Sequence, residues 1–70
     1  MRILRRGSVG PGVQLLQLAL NRAGYGELQT DGIFGPLTER AVRTFQAAQN
    51  LQVDGIAGRK TQNALYGTHY

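Results

Sequence analysis

Residues 28–42 read LQTDGIFGPLTERAV, and residues 51–65 read LQVDGIAGRKTQNAL. Aligned at an offset of 23, they share Leu, Gln, Asp, Gly, Ile, Gly, Thr and Ala at matching places. An internal repeat is read first, because each copy is one local unit of structure. Here the unit is a tight turn, an apolar residue, a second glycine and a helix. In the turn, the carboxylate of Asp31 or Asp54 is placed to accept backbone N–H bonds two or three residues on. Gly32 and Gly55 supply the unusual backbone angle. Ile33 and Ile56 are expected to plug into the core. Thr38 and Thr61 lie three residues past each cap, where a hydroxyl can reach back to the turn. The competing reading is a β-hairpin, since Asp-Gly between apolar residues is a good hairpin signal. Its flanks are short for a stable sheet, and each copy runs straight into a helix.

Working outward, the spacing predicts three helices. The first runs from about Pro11 to Ala23. Proline at the first helical position loses only an amide donor that would be unpaired there anyway. Val13, Leu16, Gln17 and Leu20 recur at helical spacing, backed by Leu15 and Ala19, and Gly24 supplies a left-handed end. The second runs from about Pro36 to Gln49, with Gly35 before it. Leu37, Ala41, Val42, Phe45 and Ala48 form its apolar stripe, and Asn50 is its left-handed cap. Arg40 and Arg43 lie off the centre of that stripe. The third is short, Arg59 to Tyr66, with Ala64 and Leu65 inward and Gly67 closing it; the tail Thr68–Tyr70 is expected to fray. A fainter echo joins the first two helices, since Val13-x-x-Leu16-Gln17 matches Val42-x-x-Phe45-Gln46. Each glutamine is either a donor to a neighbouring loop carbonyl or a half-exposed helix former. The fold class is all-α: a compact three-helix bundle with two related Asp-Gly turns before helices two and three.

Seventy residues make one small domain, 1–70, with a modest core. There is no cysteine, hence no disulfide and no thiolate site. His69 is the only histidine, so no metal cluster is visible. Eight Lys and Arg stand against four Asp and Glu, a formal +4. That balance suits anionic partners in general: nucleic acid, anionic wall polymers or peptide carboxylates. A solvated surface explains it equally well. No apolar run is long enough to span a membrane. The opening MRILRRGSVG is basic with no apolar stretch behind it, unlike a secretory signal.

The series GSVGPGVQLLQLALNRAGY, DGIFGPLTERAVRTFQ and LQVDGIAGRKTQNAL, in this order, resembles the type 1 peptidoglycan-binding domain. The resemblance covers about residues 4–66. It implies a three-helix module of bacterial and phage cell-wall hydrolases, working outside the cell or in the wall, without cofactor. The implied partners are peptidoglycan, as glycan or stem peptide, and a catalytic domain in the same polypeptide. Departures are small: Asn50 stands where many members have glycine, and Ala57 stands where the first copy has Phe34. A related module forms the pro-segment of matrix metalloproteases, where a cysteine shields zinc; the lack of cysteine here argues against that role.

Chemistry points the same way. Catalysis needs positioned acids, bases or nucleophiles, and the acids are Glu27, Asp31, Glu39 and Asp54 alone. Two of them hold equivalent turn positions, which a structural role explains. No His, Cys or Ser constellation, phosphate loop or calcium-ligand cluster is present, so catalytic, cofactor and metal sites are all expected to be none. Aromatic rings suit sugar faces, and arginine suits carboxylates. Tyr25, Phe34 and Arg40, beside the first turn, are therefore the candidate ligand contacts. Phe34 has a rival role as a core plug, and Tyr25 one as a lid on the core with its hydroxyl wet. The expected function is a non-catalytic, monomeric wall-binding module. The alternatives are an inhibitory or protein-interaction pro-domain and, less favoured, a nucleic-acid binder.

Overall fold

The computed structural model describes residues 2–67, and the expectation of a frayed tail lies outside them. Three helices follow one another: α1 (Pro11–Arg22), α2 (Pro36–Ala48) and α3 (Arg59–Tyr66). The first two end one residue before the expected position, because Ala23 and Gln49 are their caps. Both then close by the same device. After α1, Gly24 takes a φ of 87°. Its N–H donates to the Asn21 carbonyl (3.1 Å), and the Tyr25 N–H donates to the Leu20 carbonyl (2.9 Å). After α2, Asn50 takes a φ of 58°, with Asn50 N–H to Ala47 O (3.2 Å) and Leu51 N–H to Gln46 O (2.9 Å). This paired 5→2 and 6→1 bonding is the Schellman arrangement, which satisfies carbonyls that a helix end leaves bare. It drops Tyr25 and Leu51 back onto the core, against which both pack.

α1 packs against both α2 and α3. Val13, Leu16 and Leu20 from α1 meet Ala41, Val42 and Phe45 from α2, and Leu4, Phe34 and Ala57 complete the core. Ala64 and Leu65 pack against it partly buried, as expected. Neither turn forms a hairpin. Instead the segment before α1 straps across both turns through isolated bridges, Leu4 with Ala57 and Val9 with Ile33. Leu4 and Ala57 exchange both backbone bonds at 3.1 and 2.8 Å. Gly7 N–H donates to Phe34 O (3.0 Å), and Gly10 N–H to Gly32 O (2.9 Å). The turns' hydrogen-bonding edges are thus completed by the amino-terminal strap, not by their own flanks.

Several apolar assignments need correction. Ile33 is 56% exposed and Ile56 only partly buried, while Phe34 and Ala57 are at 1% and 0%. The reason is local. The Asp31 and Asp54 carboxylates take the Ile33 and Ile56 N–H groups (3.0 and 2.9 Å). That bond fixes the turn, and on extended backbone the following side chain points to the opposite face. The inward residue is therefore one place later. Leu15, Leu37 and Ala48 are exposed as well; they lie at the margins of stripes whose centres alone are covered.

Candidate functional site

The turns are built on two buried glutamines. The Gln17 side-chain Nε2 lies within reach of the Ile33 carbonyl (2.9 Å), Thr38 Oγ1 (3.1 Å) and Asp31 Oδ1 (3.2 Å), and its Oε1 accepts the Gly32 N–H (3.0 Å). Gln46 repeats this on the second turn. Its Nε2 faces Asp54 Oδ1 (2.9 Å), the Ile56 carbonyl (3.0 Å) and Thr61 Oγ1 (3.1 Å), and its Oε1 accepts from Asp54 and Gly55 N–H (3.1 and 3.0 Å). Both glutamines are 1% exposed, so the reading as donors to loop carbonyls is the one the structure adopts. Thr38 and Thr61 serve as acceptors for the glutamines.

This arrangement decides what the turn acids can do. The Ile33 N–H, then the Gln17 amide, hold the Asp31 carboxyl below its usual value; the Ile56 N–H, then the Gln46 amide, do the same for Asp54. A general acid at neutral pH needs the opposite shift. Glu39 is engaged by Arg6 at 3.2 Å and by Arg43 at 4.0 Å. Among the described residues, no group of three or more His, Cys, Asp or Glu could hold a metal ion, and no helix is long and apolar enough to cross a membrane.

Of the three candidate contacts, two come together. Tyr25 and Arg40 line one shallow depression of about 280 Å³, with Leu28, Leu37 and Thr44. Asn21 shapes the loop beneath it, its Nδ2 donating to the Leu28 carbonyl and its Oδ1 accepting the Leu28 N–H, both at 2.8 Å. The Tyr25 ring stands edge-on to Phe45, centroids 5.2 Å apart, which seats the ring while one side stays open. Phe34 does not belong here. It is 1% exposed in the core, and its plug role replaces the expected ligand contact. A larger depression of about 500 Å³ lies at the second turn, bordered by Arg5, Arg59 and Lys60. Sequence reasoning missed Arg5 there, because nothing local shows that the strap crosses the second turn.

The fold and surface define a small all-α module of clasped turns and open, shallow depressions. The chain belongs to the peptidoglycan binding domain family, whose model matches residues 9–65. It is 46% identical over 67 residues to the zinc D-Ala-D-Ala carboxypeptidase of Streptomyces albus G, covering 90% of this chain and 26% of that protein. Its structure matches the SleB N-terminal domain with a TM-score of 0.91 at 39% identity, covering 96% of this chain and 92% of that one. It matches a Burkholderia AP3 phage endolysin equally well, with a TM-score of 0.91 at 42% identity, covering 99% of this chain and 26% of that one. The chain spans about a quarter of the length of the first curated relatives it matches.

Proposed function

We propose that this chain is the non-catalytic part of a cell-wall hydrolase, holding an attached catalytic domain on peptidoglycan outside the cell or in the wall. One observation carries the reading: nearly the whole of this chain is matched by about a quarter of a carboxypeptidase in sequence and by about a quarter of an endolysin in structure. Tethering raises the local concentration of a joined enzyme without any chemistry in the tether. The chain acts as a monomer, and Tyr25 and Arg40 contact the ligand: a ring for a sugar face or apolar stem, a guanidinium for a carboxylate. The test is to mix the chain with dye-labelled sacculi and measure both pelleting and dye release. Pelleting without release is expected. Release that persists through rigorous purification overturns the non-catalytic assignment; failure to pellet overturns the binding, and capture of a catalytic partner instead would favour a pro-domain.

A further inference from the structure

The two turns share one clasp but border grooves of different chemistry. At the first turn, the groove is about 200 Å³ and is lined by Leu28, Ile33, Pro36 and Leu37, with no cationic side chain. At the second, the equivalent positions bring Leu51, Ile56, Arg59 and Lys60, and the strap adds Ile3 and Arg5. This groove reaches about 500 Å³. Pro36 and Leu37 have thus become Arg59 and Lys60. Arg5 is set here by the backbone bonds between Leu4 and Ala57 and by its own turn, in which its N–H donates to Ser8 Oγ (3.0 Å).

The charges at this groove are unspent within the fold. The ion pairs among the described residues are Arg6 and Arg43 with Glu39. Arg5, Arg59 and Lys60 take part in neither, and all three are exposed. The groove's single acid, Asp54, has its Oδ1 already facing the Gln46 amide and the Ile56 N–H. Three cations therefore border a hollow that also presents Ile3, Leu51 and Ile56. A bare cationic surface suits any anion. Cations combined with apolar walls suit a carboxylate that carries a small apolar side chain beside it, and arginine can hold that carboxylate through two parallel bonds.

We propose that the second-turn groove is a subsite for the carboxylate end of a short peptide, gripped by Arg59, Lys60 and Arg5 over the apolar wall of Ile3, Leu51 and Ile56. This deepens the wall-binding reading and rests on it for the biological source of the peptide. The site is separate from the Tyr25 and Arg40 depression.

The experiment is an amide-resolved NMR titration of the chain with acetyl-alanyl-alanine, with the C-terminal amide of the same peptide, and with inorganic phosphate. Saturable shifts are expected at the amides of residues 56–61 and at Arg5. The amide analogue should bind about tenfold more weakly, as expected for loss of a charge-assisted pair. Arg59→Gln with Lys60→Gln, exposed positions that should leave the circular dichroism unchanged, should lose a similar factor, whereas Arg22→Gln, in the last turn of α1 and equally exposed, should keep the parent affinity. Equal binding of acid and amide, displacement by phosphate at comparable concentration, shifts centred on Tyr25 and Arg40, or no saturable shift would each overturn the subsite. Sacculus pelleting run in parallel separates the two readings. Peptide binding without pelleting removes the wall-binding reading and leaves the subsite; pelleting without peptide shifts removes the subsite alone.

Discussion

Gln46 sits 1% exposed beneath the second turn, where it bonds the buried Gly55 N–H and the partly buried Ile56 carbonyl. Replacing it by leucine keeps the volume and strips those partners. The buried Gly55 N–H would be left without a partner, at a cost of about 1–3 kcal/mol, and the bonds to Asp54 and Thr61 would be lost with it, whereas the Ile56 carbonyl keeps the Gly58 N–H (3.1 Å). Gln46→Leu is expected to lower stability by about 3 kcal/mol in urea unfolding, and a loss below about 1 kcal/mol would show the clasp to be dispensable. The same clasp makes stability depend on pH. Asp31 and Asp54 have folded-state values below the ordinary 3.8. Their contribution is present above that unfolded value and is lost as pH falls through the lower folded one. The urea midpoint should therefore fall on acidification below about pH 4, and a variant with both Asp31→Asn and Asp54→Asn should show a flatter profile. An equally steep profile would assign the acid sensitivity elsewhere. The Asp and Gly of each turn were legible because their chemistry is local: a carboxylate two residues from an N–H, and a φ near 75°. The inward residue was not. Isoleucine and phenylalanine are both apolar, and only the bonded turn reveals which of two neighbours faces the core.

α2 carries the strongest test at the scale of elements, because Phe45 and Arg43 stand two residues apart on it with opposite environments. Phe45 is 3% exposed and meets the Tyr25 ring. Arg43 has 49% of its side chain exposed and reaches Glu39 only at 4.0 Å. Phe45→Ala should cost about 3–5 kcal/mol, a large share of what a small domain possesses. Arg43→Ala should stay within about 0.5 kcal/mol of the parent, since exposed pairs contribute little. Similar melting temperatures for the two would contradict the orientation of α2. The helices were legible from apolar spacing and from proline after glycine, and their ends from Gly24 and Asn50. Stripe width was not: helical spacing selects a face of about 100° or more, and partner helices decide how much of it they cover. Leu37 and Leu15 fell outside that cover. The strap was illegible for another reason. Its bonds run from backbone to backbone across distant parts of the chain, so residues 4–10 show no local pattern that names their partners.

Taken as a whole, the molecule repeats a clasp and varies what surrounds it. Gln17 meets Asp31 across 14 residues, whereas Gln46 meets Asp54 across 8. The longer first span holds the loop with Tyr25, Gly26 and Glu27, and these help line the depression shared with Arg40. Candidate contacts were legible to that extent: Tyr25 and Arg40 converge because the loop folds back over the start of α2. Phe34 was misplaced through the same turn register that misplaced Ile33. A net charge of +4 spread over the chain raises a rival account of wall binding, general attraction to an anionic polymer. Arg22 separates the two. It carries the same charge as Arg40 but lines a different depression, with Leu15, Leu18 and Tyr66. Both arginines are exposed, so either alanine variant should remain folded by circular dichroism. General attraction predicts equal, small losses for Arg40→Ala and Arg22→Ala, both fading as salt rises. A specific contact predicts that Arg40→Ala weakens sacculus pelleting by about tenfold, the factor expected of one charge-assisted pair, while Arg22→Ala pellets like the parent. Parallel behaviour of the two variants across a salt series would remove Arg40 from the site and leave charge alone as the explanation.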